Sequence, residues 1–191
     1  MSDSLITIIA IFLAAILMFV FPLMSVAERS DDIAELTAQT AVSEFVDTAR
    51  ETGKITMTNY STMVTTLEST GNTFDIEIEV KVLDENVGKK SSWTNGTVIG
   101  ENIYYSVYTS QIMNYLADSE ITDSSSTSGS TEESGDGVYL MKEGDIISCS
   151  VQNNNETLAQ TIRGIFYSIT GSGTYQISAQ ASGLVTATGS N

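Results

Sequence analysis

Histidine is absent from this 191-residue chain, cysteine and proline occur once each, and 8 basic residues face 24 acidic ones. Each shortage removes a class of function. No histidine and a single cysteine leave little from which to build a zinc site, a nucleophile–base pair or a disulfide. Cys149 has no intramolecular partner. Serines are numerous, but with no histidine to act as base and no Ser-x-x-Lys pair, a hydroxyl nucleophile would go unactivated. The glycines form no phosphate-cradling pattern. A net charge of −16 cannot replace the counterions of a phosphate backbone, and an anionic lipid surface repels it. We therefore expect no enzyme, no cofactor, no metal, no small-molecule substrate and no nucleic-acid partner.

The carboxylates do not change this. Glu77 and Glu79 sit on the polar side of a predicted strand, about 7 Å apart. Nothing near them would raise one pKa and leave the other alone, as paired acid–base work requires. Asp118, Asp123, Glu132, Glu133 and Asp136 offer oxygens of the kind calcium takes, without the fixed spacing of a calcium loop. A solubilising, self-repelling linker accounts for them. Asn59-Tyr-Ser, Asn95-Gly-Thr and Asn155-Glu-Thr match the N-glycosylation acceptor, a pattern frequent by chance.

What the chain does have is an apolar run. Leu5 to Val26 reads LITIIAIFLAAILMFVFPLMSV, with no charge. At about 1.5 Å per residue such a helix crosses a hydrocarbon core about 30 Å thick. Leu5, Ile9, Phe12, Ile16, Phe19, Pro22 and Leu23 are the residues we assign to membrane contact and helix packing. Ala10, Ala14 and Ala15 let a neighbouring helix approach. Ser25-Val26-Ala27 fits a signal-peptidase site, but the apolar run is long for a signal and Met1-Ser-Asp-Ser carries no Lys or Arg, so we expect an anchor. Flanking charges barely determine orientation. We place the short head of the chain in the cytoplasm and the acidic body outside, making a single-pass cell-membrane protein.

The expected fold is α+β: a long N-terminal helix, then a small head with an antiparallel sheet and packed helices. Residues 1–27 form the anchor half of the helix and 28–53 its amphipathic continuation, with Ile33, Leu36, Thr40, Ala41, Phe45 and Thr48 on the inner face. Pro22 should kink or loosen it, and Gly53 should stop it. Residues 54–191 form the acidic head. Thr56 or Thr58 caps a helix to about Leu67, on which Tyr60, Met63, Val64 and Leu67 face inward. Phe74, Ile76, Ile78, Val80 and Val82 alternate with polar residues, as in a strand with one buried face. Residues 84–100 read as a loop and 103–116 as a helix including Tyr108, Ile112, Tyr115 and Leu116. A Ser/Thr/Gly/acid-rich stretch at about 117–137 reads as disordered, having nothing to bury against its ordering entropy. A strand at 145–152 buries Ile147, Cys149 and Val151. Asn153 to Asn155 turn the chain into a helix bearing Leu158, Ile162, Ile165, Phe166 and Ile169, which we expect to pack on the sheet. Two final strands, 175–181 and 183–188, close the head.

Phe45, Val46, Arg50, Thr52, Gly53, Ile55, Thr56, Thr70, Gly71, Asn72, Asp75, Ile76 and Glu77 follow a pattern in which a Phe-Val-x-x-x-Arg helix end leads to Thr-Gly-x-Ile-Thr and then to Thr-Gly-Asn-x-x-Asp-Ile-Glu. In this the chain resembles the membrane-anchored, pseudopilin-like (TadE-like) proteins of tight-adherence pilus systems in Gram-positive bacteria. Residues 143–185 look like the closing part of the same proteins. The resemblance implies a non-enzymatic envelope component of a pilus or secretion apparatus, which self-associates or meets other components through its helix and can enter a surface filament. Prepilins carry a short basic leader and a Glu near the fifth position of the helix. This chain has neither, so the resemblance does not extend to leader processing or the usual filament register. The other reading of the residues is a membrane-tethered extracellular binding or adhesion module, with Tyr104, Tyr105 and Tyr108 as a candidate aromatic patch. Core packing also accounts for those three.

Overall fold

The computed structural model describes residues 2–83, 104–117, 137–167 and 176–190. Its first element is a single helix, α1, Ser2–Thr52, which continues through Pro22. Gly53 ends it at φ +67°, donating its N–H to the Ala49 carbonyl at 2.9 Å. That is a left-handed cap, which glycine adopts without a Cβ penalty. The chain then runs through β1 (Lys54–Thr56), α2 (Met57–Glu68), β2 (Phe74–Leu83), β3 (Tyr104–Tyr108), α3 (Thr109–Ala117), β4 (Val138–Leu140), β5 (Ile146–Asn153), α4 (Leu158–Tyr167) and β6 (Ser178–Leu184). The fold is α+β, as expected.

Four strands form an antiparallel sheet in the order β3-β2-β5-β6. The alternation seen in the sequence decides its faces: Ile78, Val80, Ile147, Cys149 and Val151 turn to the core, while Asp75, Glu77 and Lys81 stay in water. The amphipathic half of α1 lies across β6 and β5, and α2 lies against α1. Val42, Phe45, Val46, Met63, Leu67, Ile112, Leu116 and Met141 complete one core. Burying each such side chain contributes about 1.5–3 kcal/mol. Thr56 caps α2 by accepting the Asn59 N–H at 3.2 Å, as predicted.

β1 pairs with β4 in a separate antiparallel ribbon, Lys54 opposite Leu140 and Thr56 opposite Val138. The segment after β6 closes over it: Thr186 N–H donates to the Arg50 carbonyl at 3.0 Å and Gly189 N–H to the Met141 carbonyl at 2.9 Å. The backbone at Ala187 and Gly189 then lies so close to Gly53 that no Cβ fits there. Asp145, buried, ties the turn before β5 to the end of β2 by accepting from Leu83 N–H at 2.9 Å and Lys142 N–H at 2.8 Å.

Several expectations need correction. The buried face of α1 is Ala34, Ala38, Ala41, Val42, Phe45, Val46 and Ala49; Ile33 and Leu36 are 58% and 67% exposed, and Thr40 is exposed. Small alanines let the helix sit close on the sheet, and the larger residues point away. Residues 104–108 are a strand, so Tyr108 lies outside the helix α3, and Tyr115 is exposed on it. Thr157 caps α4, through a reciprocal pair with Gln160 at 3.2 and 3.0 Å. The asparagines before it bind elsewhere: Asn155 Oδ1 accepts the Thr73 N–H at 2.8 Å and Asn153 Oδ1 the Ile177 N–H at 3.0 Å. One strand, β6, stands where two were predicted. α4 packs on α1, as described below. The predicted loops at 84–100 and 117–137 fall outside the described residues, apart from Ala117 and Gly137 at the edges of the second.

Candidate functional site

The feature that sets this molecule apart is the first half of α1. Leu5, Ile9, Phe12, Ile16, Phe19, Pro22 and Leu23 are all exposed, and none of the most apolar stretch of the helix is buried by the rest of the chain. Leu5, Ile9, Phe12, Ile16, Phe19 and Leu23 recur at alternating steps of four and three, so on this continuous helix they form one stripe. Among the described residues one helix is thus long and apolar enough to cross a membrane, and it lies near the N-terminus. Exposing so much apolar surface to water is unfavourable by about 25 cal/mol per Å².

The head reaches the lower edge of that stretch through α4. Ala159 and Ile162 form a small cluster with Ala27, against which Val20 and Met24 pack. Two polar contacts hold the same junction. Thr157 Oγ1 donates to Asp31 Oδ2 at 2.8 Å, both residues being buried, and Arg163 donates to Glu28 Oε1 through Nε at 3.2 Å and Nη2 at 2.8 Å. The sequence reading missed this junction. Thr157-x-x-Gln160 carried its signal, since a capping box marks where α4 starts and hence which side chains face α1.

Elsewhere the head offers little chemistry. Glu79 is engaged, accepting from Ser106 Oγ at 2.7 Å with Lys81 Nζ at 3.9 Å, while Glu77 points into solvent. The depression beside α2 is lined by Ser61, Thr62, Thr65, Thr66 and Ser69, whose hydroxyls donate back to carbonyls of their own helix. Among the described residues no group of three or more His, Cys, Asp or Glu is gathered as metal ligands would be. The Asn155 side chain is tied to Thr73 and to Asn72. Burial pushes the Cys149 thiol up to about 12, which makes it the small buried hydrophobe expected of it.

Tyr104, Tyr105 and Tyr108 add exposed aromatic surface to the head. They stand on β3, at one side of the four-stranded sheet, and all three are exposed. Core packing therefore does not account for them. Tyr104 and Tyr108 sit opposite Leu83 and Glu79 on the polar face, and Tyr105 opposite Val82 on the other. Comparison with known protein families, with curated proteins and with solved structures gives no match.

Proposed function

We propose that this is a non-enzymatic envelope protein, anchored in a membrane by residues 5–26 and acting as a pilin-like structural or assembly component. The observation that carries the reading is the change of environment along one helix: an uncovered apolar half continues directly into a half roofed by a folded head. Water is a poor medium for the first half, and a bilayer or neighbouring apolar helices suit it. Ile33 and Leu36, exposed just beyond it on α1, extend the apolar surface that a second copy would meet. Retention of the helix is favoured over signal cleavage because α4 packs on Val20, Met24 and Ala27, all of which cleavage after Ala27 would remove.

The test is fractionation of native membranes with alkaline carbonate, followed by cross-linking through Leu36→Cys. We expect the full chain to stay with the membrane and to give a linked dimer, the largest product one accessible thiol per chain allows. Release by carbonate overturns the anchor; a strictly monomeric Leu36→Cys protein overturns the assembly role. The exposed tyrosines of β3 favour a second reading, a tethered extracellular binding module. Under that reading, replacing Tyr104, Tyr105 and Tyr108 by Ala abolishes surface binding while the head stays folded.

A further inference from the structure

We propose that β3 is a self-pairing edge: two copies of this chain join antiparallel through β3, about a twofold axis at Ser106, and so make their two sheets one. The proposal rests on the assembly reading above for bringing copies together. It adds a contact separate from the α1 flank that bears Ile33 and Leu36.

Backbone geometry picks out the edge. Thr109 Oγ1 accepts the Ile78 N–H at 2.7 Å and donates to the Ile78 carbonyl at 3.2 Å, so the even-numbered residues of β2 turn their backbone groups toward β3. The odd-numbered ones turn toward β5, where Ser148 Oγ donates to the Glu79 carbonyl at 3.3 Å. Val107 and Tyr105, opposite Val80 and Val82, therefore face inward. Tyr104, Ser106 and Tyr108 present their N–H and C=O groups outward. Among the described residues no strand pairs on that side, and the exposed Gln111 Oε1 accepts the Tyr108 N–H at 3.1 Å. The other edge, β6, is overlain by α1, whose Gln39 donates to the Gln180 carbonyl. Edge strands commonly carry Lys, Pro or a bulge that deters such pairing, and β3 has none of these.

Register and charge pick out the occupant. With the axis at Ser106, all five residues of β3 find a β3 partner: Tyr104 opposes Tyr108 of the second copy, Tyr105 opposes Val107, and Ser106 opposes itself. These are aromatic–aromatic, aromatic–β-branched and hydroxyl pairs, the kinds that stabilise neighbouring strands. Moving the axis to Tyr105 or Val107 leaves two residues of β3 without a β3 partner. β3 carries no charge, which lets two chains of net charge −16 approach along it. On β2, Glu79 lies opposite Tyr108 and has Lys81 Nζ at 3.9 Å. Strand spacings put the Glu79 residues of the two copies about 20 Å apart, more than twice the Debye length at physiological salt. Asp75 and Glu77 stand farther along β2, away from the axis.

The test is disulfide formation between full chains in native membranes, with dissolved oxygen as oxidant and copper–phenanthroline as catalyst. Directly opposed residues of such a pair have Cα atoms about 5.5 Å apart, within reach of a disulfide. Ser106→Cys should link to its own copy. Tyr104→Cys and Tyr108→Cys should link to each other when co-expressed, and neither should link alone. Tyr105→Cys, facing Val107, should stay unlinked, and the buried Cys149 takes no part. Added to the co-expressed pair, Ser106→Pro removes one outward N–H and leaves the pairing with β2 in place, so it should cut the yield about fivefold. Ser106→Ala keeps that N–H and should leave the yield unchanged. An undiminished yield with Ser106→Pro overturns the proposal, as does linkage of Tyr105→Cys equal to that of Ser106→Cys. An unlinked Ser106→Cys chain where Leu36→Cys links overturns it too and leaves the assembly reading standing. A linked Ser106→Cys chain where Leu36→Cys stays monomeric upholds the edge and overturns the helix contact. If neither links, both fall.

Discussion

Residues 5–26 and residues 27–52 belong to one uninterrupted helix, yet they solve opposite problems. The first half is built from large apolar side chains on every side, and the rest of the chain covers none of its most apolar stretch. The second half presents alanines at positions 27, 34, 38, 41 and 49 to the head, and is buried along that line. Hydropathy alone would rank the first half as core and the second as surface. The distinction lies in periodicity and size. A helix apolar all round asks for an apolar medium, whereas a narrow stripe of small residues asks for one closely fitted partner. Asp31 and Glu28 mark the changeover, each joined to α4.

The strongest way to break this comparison is to truncate matched aromatics. Phe45→Ala, in the buried half, should cost the head about 3–5 kcal/mol in denaturant unfolding, while Phe12→Ala should leave it within about 0.5 kcal/mol. Equal effects would mean that the two halves are not differently supported. A sharper cut falls at the end of the buried half. Gly53→Ala combines a left-handed backbone with collision against Ala187 and Gly189, and should cost about 2 kcal/mol or more. Gly71→Ala, also left-handed at φ +80° but in open space, should cost about 1 kcal/mol. A pH-dependent effect concerns the core beneath the helix. The Cys149 thiol titrates near 9 when unfolded and about 12 when folded. Its contribution to stability is complete below pH 9 and is lost as the pH rises toward 12. Between pH 8 and 10 the head should lose about 1.4 kcal/mol through this group, a slope that Cys149→Ala removes.

The elements legible in the sequence were those whose signal is local and repeated. β2 shows five alternations in a row, the apolar run and the stop at Gly53 were equally plain, and the cap of α2 was narrowed to Thr56 or Thr58, of which Thr56 serves. The ribbon of β1 and β4 was half-hidden because each strand has three residues and its partner lies more than eighty residues away. No local pattern encodes such a pairing. The inner face of α1 was misplaced for a different reason: alanine weighs little on any hydropathy scale, so Ile33 and Leu36 drew the stripe toward themselves. The junction at α4 was missed because Asp31 reads as one more surface acid until Thr157 is brought to it, 126 residues away in the chain.

That separation has a temporal side. The surface against which the second half of α1 packs is β6, and Gln39 donates to the Gln180 carbonyl across 141 residues of sequence. During synthesis the helix emerges long before its cover, and no earlier element completes the head on its own. Alanine fills four of the seven places on that waiting face, with Val42, Phe45 and Val46 the larger ones, which limits the apolar surface it offers to passing chains. The residues that stabilise the finished protein through a close fit are thus also those least harmful while it is unfinished.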